Sequence, residues 1–191
     1  QLSALAEQPK GEKERFFSNV FSVYSAIAFV VASGVILTAQ ISTRLLAAPD
    51  YYEAWRYVPV LTLATTFGCL GSFLSSIYMV EQRSGATLVT TMLGAGANLV
   101  GNYFLIQLWG PMGAALSTLA SYVLIFGLRA VHTRTMLRLR WDMPKFLLCS
   151  LLLVLQCAAM ERGLPLWACL CFLAVGAANF RPLFRAAKRV L

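Results

Sequence analysis

Six apolar runs separated by short polar breaks order this chain. The first runs from Val20 to about Leu46, the second from Val58 to Val80, the third from Ala86 to Leu108 and the fourth from Met112 to Ala130. The fifth, Phe146 to Met160, and the sixth, Leu164 to Phe180, are shorter. A helix needs about 20 apolar residues to cross a bilayer, so runs two to four have spanning length. Runs five and six form either two further spans or a shallow hairpin turning at Glu161-Arg162-Gly163. Backbone groups in lipid must be satisfied within their own segment, so each run predicts a helix. Pro49-Asp50, Gln82-Arg83-Ser84-Gly85 and Trp109-Gly110-Pro111 break the first three junctions, and Pro111, Pro144 and Pro165 stand where helices would start. The expectation is an all-α, polytopic membrane helix bundle of about six transmembrane helices. Residues 1–17 form a cytoplasmic lead-in, 18–183 the bundle and 184–191 a basic cytoplasmic tail.

Composition supports a lipid-facing surface. Apolar residues make up 59% of the chain and charged residues 13%, and the mean hydropathy is +0.69. A soluble domain carries roughly 25% charge, so this chain has too few charged groups to cover a water-facing surface. The stretch Gln1 to Phe17 is polar and lacks the apolar core of a cleavable signal. With no initiator Met, the chain reads as a piece of a longer protein.

Charge orients the bundle. With the start placed in the cytoplasm, the inner segments hold thirteen of the sixteen basic residues, from Lys10, Lys13 and Arg15 through Arg83, Arg129, Arg134, Arg138, Arg140 and Lys145 to Arg181, Arg185, Lys188 and Arg189. Only Arg44, Arg56 and Arg162 fall outside. This is a strong positive-inside signal with both termini cytoplasmic. The inner segments also account for the whole net charge of +8, because the three outer basic residues are balanced by Asp50, Glu53 and Glu161. The basic balance therefore reads as topology and contact with anionic membrane lipid, with no nucleic-acid partner required. Trp55, Trp109 and Trp167 at outer boundaries and Trp141 at an inner one match an aromatic belt. Arg181, Arg185 and Arg189, spaced by four, suggest an interfacial helix on the inner leaflet.

Candidate chemistry is sparse. None of the eight acidic residues lies in the middle of an apolar run, whereas intramembrane carboxylates are the usual proton and cation sites of pumps. The five cysteines form no CxxC and have no nearby His, so no metal and no cofactor is expected. His132 reads as a solvated residue beside the basic inner loop, and Asp50, Glu53 and His132 have no catalytic partner at useful spacing. No enzymatic activity is expected. Thr62, Thr65, Cys69, Ser72 and Ser76 form one helical stripe, either a cavity wall or a close-packing face. Asn98 and Asn102 share a face of the third run, as a structural clamp or a substrate wall. Gln40 and Arg44 sit four apart near the outer end of the first run, and Arg56 opens the second. The planar fork of Arg suits phosphate oxygens, and an Arg snorkelling to the interface is the alternative reading. Arg44, Gln40, Asn98, Asn102 and Arg56 are the candidate substrate-binding residues.

Three strings carry a family resemblance: YYEAWRYVPVLTLA (Tyr51 to Ala64), GANLVGNYFLI (Gly96 to Ile106) and GPMGAALSTLASY (Gly110 to Tyr122). In their order and spacing, with QLSALAEQPKGEKERFF at the start, they resemble the polysaccharide/oligosaccharide exporter branch of the multidrug, oligosaccharidyl-lipid and polysaccharide flippase superfamily. The likeness covers about Gln1 to Lys145 and a final helix pair, and it is to the C-terminal part of such a protein. It implies two helical bundles rocking around a central cavity, in an inner (plasma) membrane. The implied substrate is a lipid-linked sugar moved between leaflets, with N-terminal helices of the full-length protein as partners. The competing readings are a drug/cation antiporter of the same superfamily and a non-transporting membrane scaffold.

Overall fold

The computed structural model describes residues 7–139 and 141–190; the opening string's first six residues, Arg140 and Leu191 lie outside it, as do the side chains of Arg185, Ala186, Ala187, Arg189 and Val190. Among the described residues there are six α-helices, one 3-10 helix and no strand. The helices are α1 (Lys10–Leu46), α2 (Val58–Val80), α3 (Ser84–Trp109), α4 (Pro111–Thr133), α5 (Met143–Glu161) and α6 (Pro165–Val190), with the 3-10 helix at Pro49–Arg56 between α1 and α2. All six α-helices are long and apolar enough to cross a membrane. The chain is thus an all-α, multi-pass membrane protein. Runs five and six become full spans because α5 begins three residues ahead of its apolar run and α6 continues well past its own.

Local chemistry explains the breaks. Pro111 and Pro144 occupy the first turns of α4 and α5, where a missing N–H is harmless, and α6 opens on Pro165. Gly110 (φ +56°) and Gly163 (φ +66°) take the left-handed conformation that reverses the chain at the α3–α4 and α5–α6 turns. Two helix boundaries depart from the apolar pattern. The α1 helix starts at Lys10, inside the polar lead-in, and its 37 residues span about 55 Å against a hydrocarbon core of about 30 Å. The α6 helix runs through Pro182 to Val190, so the basic tail continues the last span without a separate interfacial helix.

The chain divides into two units, with boundaries inside α1 and α2. The first comprises residues 1–22 and 67–141. Its interior is aromatic: Phe73 packs against Phe17 (6.1 Å) and Phe21 (5.4 Å), while Trp141 packs against Phe21 (4.8 Å) and Phe126 (5.9 Å). The polar start of α1 is tied down here as well. Lys13 Nζ pairs with Glu81 Oε1 at 3.0 Å, and Glu14 Oε1 accepts the Arg138 backbone N–H at 2.9 Å. These two contacts explain why the lead-in is helical without an apolar run.

The second unit comprises residues 23–66 and 142–191. A reciprocal pair joins α1 to α5: Ser33 Oγ donates to Gln156 Oε1 (2.6 Å), and Gln156 Nε2 donates to the Ser33 carbonyl (3.0 Å). Asn179 on α6 donates to Cys149 Sγ on α5 (3.3 Å) and to the Val175 carbonyl (2.9 Å). Ser33, Gln156 and Asn179 are fully buried. In lipid such bonds, together with close packing, hold helices side by side, because apolar burial offers little preference for helix over acyl chain.

Candidate functional site

A polar site lies along the α3–α4 hairpin of the first unit. The tight Trp109-Gly110-Pro111 turn sends α4 back along α3. Glycines then let the two backbones approach. A Cβ on Gly113 would run into the Leu105 carbonyl, one on Gly101 into Ser117 and one on Gly94 into Ile125. The closeness brings polar groups from both helices into one seam. Ser117 Oγ donates to the Asn98 carbonyl at 3.0 Å, and Asn98 Nδ2 reaches Ser117 Oγ (3.4 Å) and Thr118 Oγ1 (3.5 Å). Asn102 Nδ2 donates to Asn98 Oδ1 at 3.1 Å, while the buried Asn102 Oδ1 has no hydrogen-bond partner among the described residues.

Beside this seam is a cavity of about 240 Å³ whose polar lining is Thr91, Asn98, Thr118, Ser121 and Tyr122. The Thr91, Thr118 and Ser121 hydroxyls each donate to a carbonyl one turn back. Their oxygens keep lone pairs for an incoming O–H. The cavity falls below the roughly 300–1,000 Å³ of a typical small-molecule site, which suits one wall of a larger cleft.

At the far end of the same hairpin α4 buries an arginine. Arg129 is 6% exposed. Its Nη1 donates to the Gly71 carbonyl (2.9 Å), its Nη2 to Thr91 Oγ1 (2.9 Å) and its Nε to Thr90 Oγ1 (3.1 Å). The guanidinium thus ties α2, α3 and α4 together and shares Thr91 with the cavity lining. Every one of these partners is neutral. Removing an ion from water costs several kcal/mol after relaxation, so a buried guanidinium without a counter-ion is an expensive feature to retain. Arg129 precedes the end of α4 by four residues, about 6 Å, where the carbonyl end of the helix favours a cation.

This placement corrects the sequence reading of Arg129 as one of the inner-segment charges, because it is buried within α4. The positive-inside split stands without it, twelve to three. His132 is corrected likewise. It lies in the last turn of α4, with Nδ1 at 3.2 Å from the Tyr78 hydroxyl, and is not a loop residue.

The remaining candidates are dispersed. Asn98 and Asn102 meet, as their spacing predicts. Gln40, Arg44 and Arg56 belong to the other unit; Arg44 and Arg56 are exposed, Gln40 is half-buried, and none has a side-chain partner among the described residues. A cavity of about 290 Å³ near the C-terminal end of α1 is lined by Ser42, Thr43 and apolar neighbours, and Gln40 and Arg44 are not among its lining residues. The α2 stripe faces outward at Thr65, Cys69 and Ser72, and none of its five residues lines the α3–α4 cavity. Arg129, Ser33, Gln156 and Asn179 escaped the sequence reading. A basic residue inside the last helical turns of an apolar run was the available signal for Arg129. No family model matches this chain, and no curated protein or solved structure matches it.

Proposed function

We propose that this chain forms part of a flippase for anionic lipid-linked saccharides. The observation that carries the reading is Arg129, a buried intramembrane cation with only neutral partners, joined through Thr91 to a cavity lined by hydroxyls and an amide. A sugar headgroup cannot enter hydrocarbon unless its hydroxyls find new hydrogen bonds. The Asn98, Thr118 and Ser121 oxygens are suitable acceptors. A guanidinium suits the phosphate that links sugar to lipid. A cationic substrate would be repelled by the same group. The resemblance to the oligosaccharide exporter branch supports the same substrate class, and further helices of a longer protein would complete the cleft. Alternating access then requires two helix packings of similar energy.

The test is flux of a fluorescent lipid-pyrophosphate oligosaccharide in proteoliposomes holding the full-length protein. Substituting Arg129→Gln, or Asn98→Ala with Asn102→Ala, is expected to lower flux at least tenfold at equal protein level. Arg44→Ala is expected to matter less, since Arg44 is exposed and is not among the residues lining this cavity. Undiminished flux in the Arg129 and Asn98/Asn102 variants would refute the assignment of this site.

A further inference from the structure

The second unit carries a cavity unrelated to the α3–α4 seam. It is about 420 Å³ and is lined only by residues of the α5–α6 hairpin. Two facing stripes build it. One comprises Leu152, Leu155, Ala159 and Arg162; the other Leu164, Trp167, Cys171 and Ala174. Both follow the helical three-and-four spacing. The groove exists because small side chains form its floor: Ala159 and Cys171 are buried, while Leu155 (50% exposed) and Trp167 (62% exposed) stand as walls.

Its dimensions and charge match one kind of occupant. From Arg162 at the turn to Leu152 is ten residues of α5, about 15 Å. That is half of a hydrocarbon core of about 30 Å, the depth of one leaflet. The whole of α5, 19 residues and about 28 Å, spans that core, which sets the turn at one interface and Leu152 near the midplane. At the mouth stand the exposed guanidinium of Arg162, without a partner among the described residues, and the Trp167 ring. The arrangement is apolar along one acyl chain's length and edged by an interfacial Trp, and of the adjacent exposed pair Glu161 and Arg162 only the guanidinium lines the groove at headgroup level.

We propose that the α5–α6 groove binds a single anionic glycerophospholipid of the surrounding bilayer, with one acyl chain lying between the two helices and its phosphate on Arg162. By the charge-based topology this leaflet is the outer one. The site does not depend on what the chain transports, because it uses none of the α3–α4 residues. It would seal the second unit's hairpin against the bilayer and make its stability respond to headgroup charge.

Native mass spectrometry of the purified chain, titrated with phosphatidylglycerol or phosphatidylcholine of equal chain length, tests this. A basic residue near a membrane surface favours an anionic lipid by an amount equal to about fivefold in binding. The wild-type chain is therefore expected to bind its first phosphatidylglycerol about fivefold more tightly than its first phosphatidylcholine. Arg162→Gln brings the ratio to about one, Arg162→Lys keeps most of it, and Arg83→Gln, at an exposed position outside the groove, leaves it unchanged. Filling the groove with Ala158→Leu and Ala174→Leu weakens first binding of both lipids. A wild-type ratio near one would overturn the proposal. So would a preference that survives Arg162→Gln, or lipid binding unmoved by the filled groove. A dimer that the filled groove dissolves and lipid does not would also overturn it, because a second copy would then be the occupant.

Discussion

Replacing Arg129 with methionine separates a functional cation from a structural one. The guanidinium makes three described hydrogen bonds, to the Gly71 carbonyl and to Thr90 and Thr91. Interhelical hydrogen bonds in membrane proteins average about 0.6 kcal/mol, so losing all three costs about 2 kcal/mol. The hydroxyls left behind stay satisfied, since Thr90 and Thr91 each donate to a carbonyl one turn back. Against this loss stands the desolvation of the cation, several kcal/mol in a protein interior, which no described carboxylate offsets. Methionine fills much of the same volume without a charge, so Arg129→Met is expected to leave the protein as stable or to stabilise it by about 1–3 kcal/mol. Flux of the lipid-linked saccharide should fall to background in the same variant. Reversible unfolding in mixed micelles, followed by circular dichroism, reads the first quantity, and proteoliposome flux reads the second. Destabilisation by more than about 2 kcal/mol would show that the bonds outweigh the buried charge and that Arg129 is a structural bolt.

Three further outcomes follow from the packing. Gly113→Ala sets a Cβ against the Leu105 backbone, which cannot yield, so the α3–α4 hairpin should open and folded yield should fall; Gly96→Ala, which meets open space, should fold as well as wild type in the same size-exclusion assay. Gln156→Leu removes both bonds to Ser33 and is expected to cost about 1 kcal/mol, with a Ser33→Ala/Gln156→Leu double-mutant cycle reporting the coupling between α1 and α5. Lys13→Ala should cost about 0.2–1 kcal/mol, and the difference from wild type should shrink as salt rises, because the half-buried Lys13–Glu81 pair is open to screening.

The sequence alone determined the helical class, the first four spans and the turn positions, while runs five and six stayed open between two spans and a hairpin. Hydrophobicity summed along Val58 to Val80 or Met112 to Ala130 needs no knowledge of neighbours, and the lipid constraint on backbone groups then leaves only a helix. The Gly110-Pro111 break is likewise local, because φ preference and a missing N–H belong to single residues. The pairing of Asn98 with Asn102 was legible for the same reason: residues four apart on a helix are neighbours whatever surrounds them. Tertiary structure decided everything that depended on a partner far along the chain. Ser33 meets Gln156 across 123 positions, and nothing in either local window predicts it. Lys10 becomes the start of α1 where Lys13 and Glu14 find Glu81 and Arg138. Arg129 resembled any basic residue at the inner edge of a span, yet Gly71, Thr90 and Thr91 draw it into the interior. Burial is a property of the assembled helices, and a charge count along the chain cannot register it.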